Sequence, residues 1–266
     1  MSAGELAPLL DYLRAIGWEE VYAPGDADSA ILEAGPAQAR PPEARGAKAL
    51  AAGPLPGGAA PDFAAAALST PVEAPADAAE RAALLAHVAA EALACTRCRL
   101  AEGRRTVVFA RGNPEAELML IGEGPGAEED RQGLPFVGPA GQLLDRIVAA
   151  IGLSREEVYV CNVVKCRPPG NRDPLPDEVA ACRAFLENQV RLVRPRVIVA
   201  LGRVAAQTLL GTDAPVGRLR GEWHELMGVP LRVTYHPAAI LRNAGFKRPT
   251  WEDMQVVRDR LAAATG

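Results

Sequence analysis

The chain has 266 residues, of which 49% are hydrophobic and only 5% aromatic, and its formal net charge at pH 7 is −4. This length allows one large domain, or one domain with a tail. No apolar run reaches the roughly 18 residues that a membrane-spanning helix needs, which excludes a protein built on such helices. The N-terminus lacks the basic start and unbroken apolar run of a signal peptide, so we expect a soluble, cytoplasmic protein.

The charge is unevenly distributed along the chain. Residues 1–94 contain 5 basic and 13 acidic residues, for a net charge of −8, whereas residues 95–266 contain 24 basic and 20 acidic residues, for a net charge of +4. An acidic chain is not typical of nucleic-acid-binding proteins. A basic body behind an acidic tail nevertheless keeps DNA or RNA open as a partner.

The N-terminal third differs in composition from the rest. Residues 4–18 predict a short helix with its leucines on one side. Residues 23–78 are Ala, Pro and Gly with scattered acids, a composition that cannot offset the entropy of ordering and predicts a disordered linker. We therefore interpret residues 1–80 as an extension and residues 81–266 as the folded domain. The extension is either an arm for a replication or repair partner or filler encoded by a GC-rich genome.

Strand-like and helix-like runs alternate in the body. The strand-like runs are 117–122, 158–164, 196–201 and 231–235, with a weaker run at 106–109. The helix-like runs are 77–94, 140–151, 176–193, 203–210 and 250–264. This alternation predicts an α/β domain with a mostly parallel sheet covered by helices on both faces.

Unusual residues follow the predicted strands. They are the loop "GEGPGAEEDRQGLPFVGPAG" at 122–141, Asn162 with the following "KCRPPGNRDP", and "HPAAILRN" from His236. Ligands of parallel α/β sheets bind outside the carboxyl ends of the strands. The sequence therefore predicts a single site at this edge of the sheet.

The loop 122–141 is not a phosphate-binding fingerprint, because it lacks the third glycine of the dinucleotide motif and the lysine of a P-loop. Glu123 instead stands between Gly122 and Gly124, whose small size lets the backbone approach a flat ligand. Phe136 is either a core residue or a stacking platform for a planar base. Backbone N–H groups near Gly138, where a helix begins, suit a phosphate or the polar edge of a ring.

Two polar residues complete the predicted site. Asn162 offers both a donor and an acceptor, as needed to read the edge of a nucleobase. His236 ends a strand and precedes Pro237, which fixes the direction of the chain, so its ring is well placed to donate to a ligand oxygen. The other histidines, His87 and His224, are interpreted as surface and structural residues.

Four of the five cysteines form two pairs. Cys95 and Cys98 make a C-x-x-C motif, and 67 residues separate it from the second pair, Cys166 and Cys182. Four thiolates suit a tetrahedral zinc ion or an iron–sulfur cluster, and the spacing does not choose between them. The alternative is a buried Cys182 with an incidental C-x-x-C. Cys161, inside a strand, is interpreted as a core thiol.

Four sequence blocks closely resemble family 4 uracil-DNA glycosylases, the iron–sulfur members of their superfamily. The blocks are "GEGPGAEEDRQGLPFVGPAGQLLDRI", "VYVCNVVKCRPPGNRDPLPDE", "LGRVAAQTLLG" and "HPAAILRN". The resemblance runs from about Cys95 to the C-terminus. It implies a three-layer α/β/α fold around a mostly parallel four-stranded sheet. It also implies a monomeric hydrolase of base excision repair, which flips uracil out of single- or double-stranded DNA, cleaves its N-glycosidic bond and leaves an abasic site.

The resemblance also implies roles for individual residues. A [4Fe–4S] cluster is expected on Cys95, Cys98, Cys166 and Cys182. Uracil is expected to contact Gly122, Gly124, Phe136, Asn162 and His236. Glu123 and His236 are the expected catalytic residues. The DNA backbone is expected to contact Gly138, Lys165, Arg167, Arg172 and Arg242.

Three positions depart from the expected pattern. Gly124 stands where a related branch has a water-positioning Asp, which makes Glu123 the candidate for that role. Ala238 replaces a Ser expected to contact a DNA phosphate, and Arg242 is the candidate to compensate. Cys161 occupies a place where Thr is expected. These departures keep an alternative open, a non-catalytic iron–sulfur or zinc module that binds nucleic acid.

Overall fold

A single mixed sheet organises residues 73–263, the part of the chain that this computed structural model describes. The helix predicted over residues 4–18, and the predicted disordered linker up to residue 72, lie outside the described residues. The six strands are β1 (Ala110–Gly112), β2 (Leu118–Gly122), β3 (Tyr159–Asn162), β4 (Val197–Leu201), β5 (Trp223–Leu226) and β6 (Val229–Thr234). Their order across the sheet is β1-β3-β2-β4-β6-β5.

The centre of the sheet is parallel and its two edges are antiparallel. Strands β3, β2, β4 and β6 pair in parallel, while β1 pairs antiparallel with β3 and β5 antiparallel with β6. The four predicted strong strands form this centre. The predicted total of four strands is wrong, because two short edge strands bring it to six. The weaker predicted run at 106–109 is not a strand, and β1 begins immediately after it.

Helices lie along the sheet in chain order. They are α1 (Ala78–Leu93), α2 (Leu100–Gly103), α3 (Ala127–Gln132), α4 (Pro139–Ala150), α5 (Pro176–Val193), α6 (Arg203–Leu210), α7 (Val216–Leu219), α8 (Pro237–Arg242) and α9 (Lys247–Ala262). Short 3₁₀ turns occur at Pro169–Asn171 and Ala244–Phe246. None of the helices within residues 73–263 is long and apolar enough to cross a membrane.

The strands are buried on both faces, which gives two hydrophobic cores. Met119 and Ile121 of β2 pack in one core with residues of α1, α5 and α6. Leu118 and Leu120 of the same strand pack in the other core with residues of α4 and α9. Alternate residues of a strand point to opposite faces, so the unbroken apolar sequence of β2 is explained by helices on both sides. The three-layer α/β/α prediction is thereby confirmed.

Buried ionic contacts fix helix α9 to the sheet. Asp253 of α9 is 1% exposed and accepts hydrogen bonds from Arg220 Nε at 2.9 Å, Arg232 Nη2 at 3.1 Å and Thr234 Oγ1 at 2.9 Å. Arg232 and Thr234 belong to β6. The carboxylate therefore ties the C-terminal helix to the strand that leads directly into His236.

Candidate active site

One cavity of about 560 Å³ opens at the carboxyl ends of the parallel strands. Glu123 and Gly124, which follow β2, line it together with Asn162 at the end of β3 and His236 after β6. Phe136, from the loop between α3 and α4, covers another side. The structure therefore brings four of the five predicted uracil-contacting residues to one cavity at the strand ends, whereas the fifth, Gly122, does not line it.

Gly122, the last residue of β2, is buried next to Asn162 and Phe136. In the parallel pairing of β2 and β3 it stands opposite Asn162. A Cβ atom on Gly122 would lie 2.5 Å from Asn162 Oδ1 and 2.7 Å from Phe136 Cζ. These distances are shorter than any normal contact, so a glycine at this position lets both side chains meet in front of the strand end.

The Phe136 loop is held in an uncommon backbone conformation. Phe136 has a φ of 55°, a left-handed value that is rare for a bulky residue and that often marks functional sites. Glu129 Oε1 accepts hydrogen bonds from the N–H groups of Val137 and Gly138, both at 3.1 Å. Gly141 admits the loop, since a Cβ there would lie 1.7 Å from Phe136 O. The hydrogen bonds from Val137 and Gly138 to Glu129, and the close approach of Gly141, thus fix the backbone that carries the Phe136 ring.

Asn162 belongs to the cavity wall and carries a buried carbonyl oxygen that has no hydrogen-bond partner. The residue is 2% exposed, and its Oδ1 has no hydrogen-bond partner. A buried acceptor without a donor costs about 1–3 kcal/mol. Such a group in a cavity wall indicates a ligand that supplies an N–H or O–H group.

His236 is fixed in one tautomer by the start of helix α8. Its Nδ1 accepts a hydrogen bond from the Ala238 N–H at 3.1 Å, so in the neutral ring the proton is on Nε2. Burial lowers the pKa of His236 to about 4, and the nearby Arg242 charge acts in the same direction. The ring is therefore a neutral N–H donor at physiological pH. It stacks on Phe136 at a centroid distance of 5.6 Å.

Gly202, at the end of β4, allows the close approach of His236. Its φ is +89°, and an added Cβ would lie 2.7 Å from His236 Cβ. Only glycine adopts this backbone angle without strain while leaving that space.

Glu123 ionises near neutral pH. Burial raises the pKa of its carboxyl to about 7, the negative charge of Asp173 adds to the increase, and Arg203 opposes it. Asp173 and Arg203 form a salt bridge and line the same cavity. Neither residue was singled out from the sequence, although Asp173 ends the "GNRD" stretch and Arg203 lies in the "LGR" block. Their pairing joins positions 30 residues apart.

Two residues of the predicted DNA-backbone set do not fit that role. Lys165 is wrongly placed in it, because the side chain is 1% exposed and cannot reach a phosphate at the surface. The Gly138 N–H is already taken by Glu129, so it is not a free donor. The prediction that the Gly138 N–H donates a hydrogen bond to a DNA phosphate is therefore wrong as well.

The three arginines of the set lie nearer the surface. Arg242 is exposed at the rim of the cavity. Arg172 also lines the cavity but is held by Glu178 through two hydrogen bonds, at 2.8 and 2.6 Å. Arg167 Nε donates to Asn171 Oδ1 at 2.8 Å.

The four predicted cysteine ligands line a second, smaller cavity. Cys95, Cys98, Cys166 and Cys182 surround it with three alanines and Phe185. N–H groups donate to three of the sulfurs: Arg97 Nε to Cys95 at 3.4 Å, Arg104 Nη1 to Cys166 at 3.3 Å, and Lys165 N to Cys182 at 3.4 Å. Cys161 lies apart as a fully buried core thiol.

The sulfur atoms around this cavity are a donor set of the kind that binds a metal centre. Burial raises the pKa of the Cys182 thiol to about 11, so its thiolate needs a compensating positive charge. Within residues 73–263, no group of three or more Cys, His, Asp or Glu side chains is arranged to hold a metal ion. Four thiols that share one cavity, with N–H donors directed at their sulfurs, fit the ligand chemistry of an iron–sulfur cluster.

The fold and the main cavity define a class of protein. A polar pocket with an aromatic wall, at the carboxyl ends of parallel strands in an α/β/α domain, is typical of proteins that bind a nucleotide or a nucleobase.

Comparison with known proteins gives the family. The model of the uracil DNA glycosylase superfamily matches residues 109–255. The chain is 42% identical over 185 residues to a type-4 uracil-DNA glycosylase of Saccharolobus solfataricus, covering 66% of this chain and 86% of the relative. It is 44% identical over 167 residues to the type-4 enzyme of Thermotoga maritima, covering 60% and 86%. It is also 44% identical over 165 residues to that of Archaeoglobus fulgidus, covering 59% and 83%. The chain therefore belongs to the uracil-DNA glycosylase superfamily.

Proposed function

We propose that this protein is a type-4 uracil-DNA glycosylase, which hydrolyses the N-glycosidic bond of uracil in DNA. The observation that carries the proposal is the unpartnered, buried Oδ1 of Asn162, beside Phe136 and His236 in one cavity. The names of the relatives described above support the same activity. A cytoplasmic location and a monomeric state remain predictions.

In the proposed complex, Asn162 reads the edge of uracil. Uracil presents an N–H group between two carbonyl oxygens. The Oδ1 of Asn162 accepts from this N–H, while the amide group of the same side chain donates to the adjacent carbonyl. The base N–H thus removes the cost of the unsatisfied acceptor. Phe136 covers the face of the ring, a contact worth about 1–3 kcal/mol for a stacked base.

His236 stabilises the leaving base. When the glycosidic bond breaks, uracil departs with the bonding electron pair and negative charge develops on its ring oxygens. The neutral Nε2–H of His236 donates to one of these oxygens, and a well-placed donor of this kind contributes about 3 kcal/mol. The sugar develops positive charge, as in other glycoside hydrolyses.

Glu123 completes the reaction in this proposal. Its carboxylate lies in the same cavity, at the place after β2 that leads into the glycine-rich loop. The ionised form orients a water molecule toward the sugar carbon and stabilises the positive charge there. Water supplies the hydroxyl of the abasic site. The absence of a carboxylate at position 124 leaves this role to Glu123.

DNA binding follows from the position of the cavity. A base inside a duplex cannot reach this pocket, so the nucleotide is extruded before the bond is cut. Arg167, Arg172 and Arg242 are the proposed contacts to the DNA backbone around the opening.

The proposal includes a [4Fe–4S] cluster on Cys95, Cys98, Cys166 and Cys182. The shared cavity and the N–H donors toward three sulfurs support it. When bound, the cluster acts as a structural cross-link. It joins the segment after α1 to α5 and to the loop that carries Arg167 and Arg172.

The test is uracil excision by iron-replete protein. Single-stranded and duplex oligonucleotides with one uracil are incubated with the protein and treated with alkali, beside matched oligonucleotides with thymine at the same position. We expect cleavage only at uracil. Iron-replete protein that binds DNA but yields no cleavage would favour the non-catalytic module instead.

A further inference from the structure

Lys165 is a buried lysine whose side chain donates hydrogen bonds to two acceptors. It is 1% exposed and is one of only three lysines in the chain. Its Nζ donates to the backbone carbonyl of Asn162 at 2.7 Å and to Gln189 Oε1. A buried ammonium group is costly unless its hydrogen bonds are made, so this arrangement must be specified by its neighbours.

Gln189 fixes the position of the Lys165 ammonium group. Its Nε2 donates to Phe109 O at 3.1 Å and to the Tyr159 hydroxyl at 3.0 Å. These two acceptors leave Oε1 as the atom that faces the lysine. Gln189 lies on α5 and Tyr159 on β3, so helix and sheet together hold the lysine in place.

The other end of Lys165 belongs to the cysteine cavity. Its backbone N–H donates to Cys182 Sγ at 3.4 Å, and it immediately precedes Cys166. Lys165 is also one of the residues that line the cysteine cavity. Its carbonyl oxygen accepts from the Val108 N–H at 2.8 Å. One residue thus contacts both a cysteine ligand and the peptide group of the base-reading asparagine.

We propose that Lys165 is a positioning residue which connects the cysteine cavity to Asn162, so that an ordered cluster site holds the pyrimidine reader in place. This inference rests on the proposed function. Rotation of the Asn162 peptide group would move its side chain away from the base. The bond from Lys165 holds this peptide group together with the Val163 N–H, which donates to Gly122 O at 2.9 Å. The bond from the Lys165 backbone to Cys182 transmits the order of the cysteine site.

The experiment compares Lys165→Met with wild type, both iron-replete by iron analysis and absorbance near 400 nm. Binding is measured to an oligonucleotide with an uncleavable 2′-fluoro-2′-deoxyuridine and to a uracil-free oligonucleotide. We expect the affinity for the uracil analogue to fall about 10- to 100-fold, as for the loss of a hydrogen bond to a charged group. Affinity for uracil-free DNA should not change.

Steady-state kinetics give an independent measure. Asn162 binds the base both before and during bond cleavage, so its displacement should raise KM more than it lowers kcat. Amide hydrogen exchange within residues 159–163 should also be faster in the variant. Lys165→Gln retains N–H donors and should recover part of the affinity. Lys247→Met, which removes an exposed lysine, is the matched control and should behave as wild type.

The outcomes are distinguishable. Unchanged binding of the uracil analogue by iron-replete Lys165→Met overturns the inference, whereas inactive wild-type protein overturns the proposed function instead. If the variant loses affinity for uracil-free DNA, and the slope of log affinity against log salt concentration is shallower by about 1, Lys165 contacts a phosphate. This result would overturn the positioning role. If Lys165→Met does not retain iron, Gln189→Leu replaces it. We then expect about a 3- to 10-fold loss for the analogue, and no loss overturns the inference.

Discussion

Glu123→Gln should change the pH dependence of uracil excision. The Glu123 carboxyl has a pKa of about 7, raised by burial and by Asp173 from its ordinary value of 4.5. The proposed mechanism needs the carboxylate form. Because the pKa of His236 is lowered to about 4, the histidine does not titrate in the same range. The acidic limb of the kcat/KM profile should therefore belong to Glu123 alone.

The size of the effect follows from this pKa. About nine-tenths of the carboxyl is ionised at pH 8, about a tenth at pH 6 and about a hundredth at pH 5. Wild-type kcat/KM should fall about tenfold per pH unit below 7, since this parameter reports the free enzyme. Glu123→Gln should lose about 100-fold or more at pH 8 and show no acidic limb near 7. The control is Glu128→Gln, which changes an exposed carboxylate of helix α3 and should keep the wild-type profile.

Stability supplies a second measurement of the same group. A raised carboxyl pKa means that the folded state holds a proton between pH 4.5 and 7 which the unfolded state releases. Stability is therefore lost as the pH rises through this window. Glu123→Gln should have a higher melting temperature than wild type at pH 8 and a similar one at pH 4. A wild-type kcat/KM that stays constant from pH 5.5 to 8, or a Glu123→Gln variant that keeps the acidic limb of kcat/KM, would contradict this role of Glu123.

Three further predictions follow from the contacts of single residues. Gly122→Ala should lower kcat/KM about 10- to 100-fold with little change in melting temperature, because the new methyl group displaces Asn162 in the cavity; normal kinetics would contradict the packing at that wall. Asp253→Ala should destabilise the fold by about 3–5 kcal/mol in chemical denaturation, since it leaves the buried Arg232 and the half-buried Arg220 without this carboxylate. The exposed Asp259→Ala is its control. Arg242→Gln should weaken binding to uracil-free DNA and reduce the salt slope by about 1, and an unchanged slope would exclude a phosphate contact.

The central strands were predictable because each is an unbroken apolar run buried on both faces. The two edge strands, β1 and β5, could not be predicted in this way. Strand β1 has only three residues, and its middle residue, Arg111, is a buried arginine paired with Asp145 of α4. A charged residue in a three-residue run gives no periodic signal. Strand β5 was not among the predicted strand-like runs, and the tight turn between β5 and β6 places Met227 at a φ of 53°.

The residues of the main cavity were predictable for a different reason. Asn162 ends a parallel strand, and Glu123 and His236 follow two others, so the topology brings them together. Long-range pairs carry no such signal. The Lys165 side chain meets Gln189, 24 residues away, and a lysine beside arginines in "KCRPPGNR" gives no sign that it is buried. The pairing of Asp173 with Arg203 is hidden in the same way.

Asn162→Asp is the substitution that tests whether Asn162 reads uracil in this cavity, as we propose. Uracil release and DNA binding are measured for both proteins in the iron-replete state, with free uracil identified by chromatography. A carboxylate cannot donate to the uracil carbonyl and repels the developing negative charge. We expect wild-type protein to release one uracil per abasic site, and the variant to lose excision while it retains DNA binding. Undiminished release of uracil by Asn162→Asp would contradict the proposal.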